Sequence, residues 1–75
     1  MVIKEQRICY SRDDSNINNE RNDFYDYTTV AARVKTHKEL GMNLIHESPR
    51  CAILQEVNED FEIIIIVSKI ADVIE

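Results

Sequence analysis

A chain of 75 residues with a formal net charge of −5 has the length of one domain. Its single Gly and single Pro exclude a turn-rich secreted β module, and a hydrophobic share of 44% excludes a wholly disordered chain. A core this small supplies only about 3–5 kcal/mol of net stability, so a disulfide, a metal or a second subunit is expected to add to it.

The charge is unevenly placed. Residues 51–75 set Lys69 against Glu56, Glu59, Asp60, Glu62, Asp72 and Glu75, whereas 28–50 set Arg33, Lys35, Lys38 and Arg50 against Glu39 and Glu47. An acidic balance weakens binding to phosphate backbones and to anionic membrane surfaces, both of which reward clustered cations. Met1-Val2-Ile3-Lys4-Glu5 lacks the apolar run of a signal peptide, and the longest apolar run, Ile63–Val67, is far too short to span a bilayer. The expectation is a cytoplasmic protein with no membrane contact, in which Cys9 and Cys51 stay reduced.

In chain order, residues 1–10 carry Val2, Ile3, Ile8, Cys9 and Tyr10 around a charged middle and predict a short strand. Residues 11–23 hold one Ile among Ser, Asn, Asp, Glu and Arg. Such side chains bond their own backbone and favour turns, so this stretch predicts a long polar loop or a disordered segment. Residues 26–41 predict a helix. Asp26 is its expected N-cap, Tyr25 and Val30 its staple, and Gly41 its stop; Tyr27, Val30, Ala31 and Val34 share one face.

The last third has two readings. In the preferred one, Met42–Glu47, Cys51–Val57 and Phe61–Val67 form an antiparallel meander, with turns at Pro49-Arg50 and Asn58-Glu59-Asp60, and Ser68 caps a short C-terminal helix. Ile63-Ile64-Ile65-Ile66-Val67 is β-branched throughout, which suits a strand. In the alternative the domain is all-α, residues 60–75 forming one amphipathic helix with Ile63, Ile66, Val67, Ile70, Val73 and Ile74 on a face. The fold class that follows is α+β, a single small domain.

Lys38-Glu39-Leu40-Gly41-Met42 resembles the end of the first helix and the turn of repressor-type helix-turn-helix proteins. It departs from them at His37, where they carry a small residue, and at Glu47, where they carry an apolar one. The resemblance covers five residues and implies a nucleic-acid-binding regulator working through the mildly basic 28–50 region, with Arg33, Lys35 and Lys38 on phosphate.

Little else carries chemistry. Cys9, His37, His46 and Cys51 are ligands zinc accepts, but no pair has the close spacing of a zinc finger or knuckle. Cys51, His46 and Glu47 supply the residue types of a nucleophile, base and acid, whose roles depend on geometry. With one glycine there is no phosphate cradle. No cofactor or metal is expected, and no enzymatic activity.

The reading preferred on these grounds is a small, acidic, non-enzymatic protein-binding regulator, inhibitor or adaptor, of the kind phages and other mobile elements encode. Phe24, Tyr25 and Tyr27 are its expected partner-binding residues, since aromatics anchor interfaces. One helix cannot cover both faces of an apolar strand, so a homodimer is expected to form on Ile63, Ile65, Val67, Ile70 and Ile74.

Overall fold

The computed structural model describes residues 2–13 and 17–70. Five strands and one helix follow one another as β1 (Val2–Ser11), β2 (Ile17–Tyr25), α1 (Val30–Glu39), β3 (Asn43–Glu47), β4 (Cys51–Val57) and β5 (Phe61–Ile70). The strands make one antiparallel sheet in the order β2-β1-β5-β4-β3. β2 and β3 are the two edges, and α1 connects them across one face, packed on β3, β4 and β5.

The core lies between α1 and that face. Val30 and Val34 of the helix meet Ile3, Ala52, Leu54, Ile65 and Val67 of the sheet, with Met42 closing one side. Alternation selects these residues: successive side chains of a strand point to opposite faces. The register confirms it, because Val67 lies between Glu5 and Ala52, and Ile65 between Arg7 and Leu54.

The meander forms at its expected positions, and both turns are closed by side chains. The Ser48 N–H donates to the Cys51 carbonyl at 2.8 Å, and the Cys51 N–H to Ser48 Oγ at 3.1 Å. Asn58 Oδ1 accepts from the Asp60 and Phe61 N–H groups at 2.9 and 2.7 Å. The helix ends as its glycine requires. Gly41 takes φ +99, its N–H donates to Lys38, and the Met42 N–H donates to His37, which is a Schellman closure.

Three expectations are corrected. Residues 11–23 do not form one long loop. Ser11 ends β1, and from Ile17 the chain returns as β2, paired to β1 from Ile3↔Tyr25 to Tyr10↔Ile17. Pairing along nearly the whole of β1 overrides the turn preference of Asn and Asp, and an edge strand is where polar residues are tolerated. The helix is shorter than 26–41 and Asp26 is not its cap. Thr29 is, with extended backbone and its Oγ1 accepting the Ala32 N–H at 3.0 Å, because β2 holds the chain extended as far as Tyr25. That leaves no Tyr25–Val30 staple across an Asp26 cap. Finally, the all-α alternative is excluded. β5 runs on through Ser68 to Ile70, so Ser68 pairs within the sheet and caps nothing; a terminal helix beyond it falls in 71–75, outside the described residues.

Candidate functional site

The sheet has two faces of different character. On the helix side, α1 covers the end of the sheet that carries Ile3, Val67 and Ala52. Here the buried Glu5 carboxylate is clamped by two side chains of α1. Arg33 Nε donates to Oε2 at 2.8 Å and Arg33 Nη2 to Oε1 at 3.3 Å, while His37 Nε2 also bonds Oε1. Glu5 is 4% exposed and His37 8%. The positions follow from local structure: Arg33 and His37 are four apart on the helix and so share a face, and Glu5 points to that face from β1. The Arg33 guanidinium also stacks over the Tyr25 ring, 4.3 Å from its centroid. The Glu5 hydrogen bond raises the Arg33 pKa above its ordinary value, against the opposing effect of burial, so Arg33 stays cationic at any accessible pH.

A cavity of about 220 Å³ lies beside this cluster, with Arg7, Arg21, Asp23 and Glu56 in its wall. Arg21 is held by Asp23 at 3.1 Å. Both Glu5 oxygens are engaged, so neither faces the cavity as a free base. The arrangement acts as a tether, a charged clasp fixing α1 to β1 where the apolar core thins out.

Among the described residues no helix lies on the opposite face. The register places four cross-sheet rows on it: Lys4–Ser68–Cys51, Gln6–Ile66–Ile53, Ile8–Ile64–Gln55 and Tyr10–Glu62–Val57. Ile8, Ile53, Ile64 and Ile66 form a contiguous half-buried patch at the middle. Phe24, 61% exposed, extends it across β2 beside Lys4, and Ile70 and Val57 extend it at the ends. Two polar pairs flank the patch. Gln6 Nε2 donates to Glu20 Oε1 at 3.1 Å, and Gln55 Nε2 to Glu62 Oε2 at 2.5 Å. An apolar centre with a polar surround is the anatomy of a protein interface.

The residues singled out from sequence are distributed as follows. Phe24 is on the uncovered face, Tyr25 is on the helix face under Arg33, and Tyr27 stands fully exposed in the connector before α1. Of the expected dimer residues, Ile65 and Val67 are buried under α1 and Ile63 packs against that same core. They are therefore not available to a partner in this fold. Ile70 is on the uncovered face, and Ile74 lies outside the described residues. Ile63, Ile65 and Val67 share one strand face, and it is the one the helix covers; the open face takes Ile64 and Ile66.

Arg33 is taken up by Glu5, which leaves Lys35 and Lys38 exposed without it. The segment after Gly41 is β3 rather than the second helix of a helix-turn-helix. Cys9, opposite Ile63, and Cys51, opposite Ser68, sit on different faces of the sheet, so both are free thiols. His46 shares the Cys51 face but Glu47 does not, and the three are not assembled. Among the described residues no three His, Cys, Asp or Glu side chains are grouped to hold a metal ion. Among the described residues no helix is long and apolar enough to cross a membrane. Comparisons with protein-family models, curated proteins and solved structures give no match to this chain.

Proposed function

We propose that this chain is a non-enzymatic regulator, inhibitor or adaptor that works by binding protein through the uncovered face of its sheet. One observation carries the reading: the isoleucine patch of Ile8, Ile53, Ile64 and Ile66 on a face that no element of the described chain covers. An open face of an antiparallel sheet ordinarily alternates to polar residues. Here β5 keeps isoleucine on both faces, and the second set serves no core. Contiguous apolar patches on small proteins mark interaction sites. The acidic residues around the patch favour encounter with basic surfaces.

The test is affinity capture from the native host with a tagged chain, after nuclease treatment. The expected result is a protein retained by the wild type and lost with the Ile64→Thr/Ile66→Thr double variant, which keeps β-branched residues in the strand. Retention of the same proteins by wild type and variant refutes the reading. Binding abolished by nuclease would move the function to nucleic acid and to Lys35 and Lys38.

A further inference from the structure

We infer that the occupant of this face is a second copy of the same chain, docked sheet to sheet about a two-fold axis that lies in the interface, perpendicular to β5 and crossing it at Ile65. The inference rests on the reading that the face binds protein and names what it binds.

Area is the first argument. The strands total about 40 residues, each covering about 16 Å² of sheet at standard strand spacings. That gives roughly 650 Å² per copy before side-chain relief is counted. Stable specific interfaces begin at about 600 Å² per partner and centre on about 800 Å². The whole face is therefore needed, which favours a partner of the same size and flatness.

The edges are the second argument, because a five-stranded sheet can also dimerise strand to strand. β3 is only five residues long and breaks register between Leu44 and His46. β2 carries Glu20, Arg21 and Asp23 beside Asn19 and Asn22. Short, bulged or charged edges resist pairing. The face is the surface left unguarded.

Charge placement is the third. Lys4 lies in the row at one end of the patch and Glu62 in the row at the other, about 20 Å apart along the strands within one copy. The two-fold operation exchanges those rows. It sets Lys4 beside Glu62 of the second copy, twice, and brings Ile66 over Ile64 in the centre. Gln6 and Gln55 enter the interface already hydrogen-bonded to Glu20 and Glu62, which limits the cost of desolvating them.

Sedimentation equilibrium across a concentration series tests the pairing. The wild type is expected at twice the 8.8 kDa chain mass. Ile64→Thr/Ile66→Thr is expected to sediment as a monomer with an unchanged far-UV circular dichroism spectrum. Lys4→Glu and Glu62→Lys are each expected to weaken self-association about tenfold or more by like-charge contact. Mixing the two single variants, or combining them in one chain, is expected to restore it. Rescue by mixing requires an intermolecular contact, since the two residues do not meet within a copy; both sit at half-buried strand positions on the open face.

A wild type that stays monomeric at 100 µM overturns the inference. So does a dimer indifferent to Ile64→Thr/Ile66→Thr, or charge variants that mixing fails to rescue. The capture experiment separates these failures from failure of the functional reading: a monomeric chain that still loses a different protein on Ile64→Thr/Ile66→Thr keeps the face as a binding surface and removes only self-association.

Discussion

Replacing Arg33 by Met tests the charged clasp directly. The Glu5 side chain is 5% exposed and the Arg33 side chain 21%. Arg33→Met removes two of the three hydrogen bonds to the carboxylate and its one permanent cation, leaving His37 as the remaining partner. Removing one partner of a buried pair costs about 3–5 kcal/mol. With His37 retained, the lower figure applies, about 3 kcal/mol, against a total of about 3–5 kcal/mol for a domain of this size. The variant is therefore expected to be partly unfolded at 25 °C. Glu5→Leu should cost less, because the freed guanidinium lies nearer solvent and can reach it along its own stem. Glu5→Leu/Arg33→Met should be more stable than Arg33→Met, since apolar replacement of the Glu5–Arg33 pair is itself close to neutral; its remaining deficit is the buried His37 ring left without its Glu5 bond, about 1–3 kcal/mol. Urea denaturation followed by circular dichroism, at fixed protein concentration, measures all three. A loss under about 1 kcal/mol for Arg33→Met, or a double variant no more stable than that single one, would sink the idea that Glu5 depends on this cation.

The remaining predictions concern single elements. Thr29→Ala should cost about 1 kcal/mol by removing the helix cap, while Asp26→Ala should stay within about 0.5 kcal/mol; equal effects would contradict the cap assignment. Gly41→Ala should cost about 1–2 kcal/mol from positive φ alone, since a Cβ there meets nothing within 4 Å, and Asn in its place should cost less in the same thermal melt. Leu54→Ala, at a fully buried position, should cost about 2–5 kcal/mol, enough to abolish cooperative unfolding. Tyr25→Leu should lose about 0.5–1 kcal/mol of cation–π attraction that Tyr25→Phe keeps.

The parts of the fold that were legible are those where a local signal and the tertiary demand agree. Gly41 stops a helix because its φ is positive in the structure and no other residue type fits there as cheaply. Pro49 and Asn58 mark turns that their neighbours close by hydrogen bonds. β-branching in 63–67 outweighed an amphipathic helical pattern that matched nearly as well, because five such residues strain a helix and suit a strand. β2 was not legible. Asn19, Asn22 and Asp23 are poor strand formers, and only the long neighbouring strand makes their extended conformation worthwhile. The helix start was misplaced for the same reason, since β2 consumes the residues that a free chain would coil. The clasp had no local signature at all: Glu5 and Arg33 are 28 apart in sequence, and nothing in either segment names the other. Strand period over 61–67 already separates Ile63, Ile65 and Val67 from Ile64 and Ile66; which set the helix covers depends on the connection from β2 to β3, and no local pattern states it.

The tether and the bare face are two consequences of one topology. The single crossover from edge β2 to edge β3 carries the only helix among the described residues, and ten helical residues extend about 15 Å. That length covers one end of one face. On the covered face the uncovered end is filled by charged side chains, Arg7, Arg21, Asp23 and Glu56, whose stems shield the sheet while their heads stay wet. On the other face the same solution was open to the sequence and was not taken: β5 places Ile64 and Ile66 at its centre where Thr, Lys or Glu would have been stable in a monomer. Isoleucine there costs solubility and adds nothing to the core of a single copy. It is accounted for if burial of that face is part of the functional state, in which case stability should rise with protein concentration, as it does whenever folding and association are coupled. A melting temperature independent of concentration between about 1 and 200 µM, spanning the micromolar affinities usual for weak interfaces, would remove self-association as the explanation. The patch would then be left to a different protein.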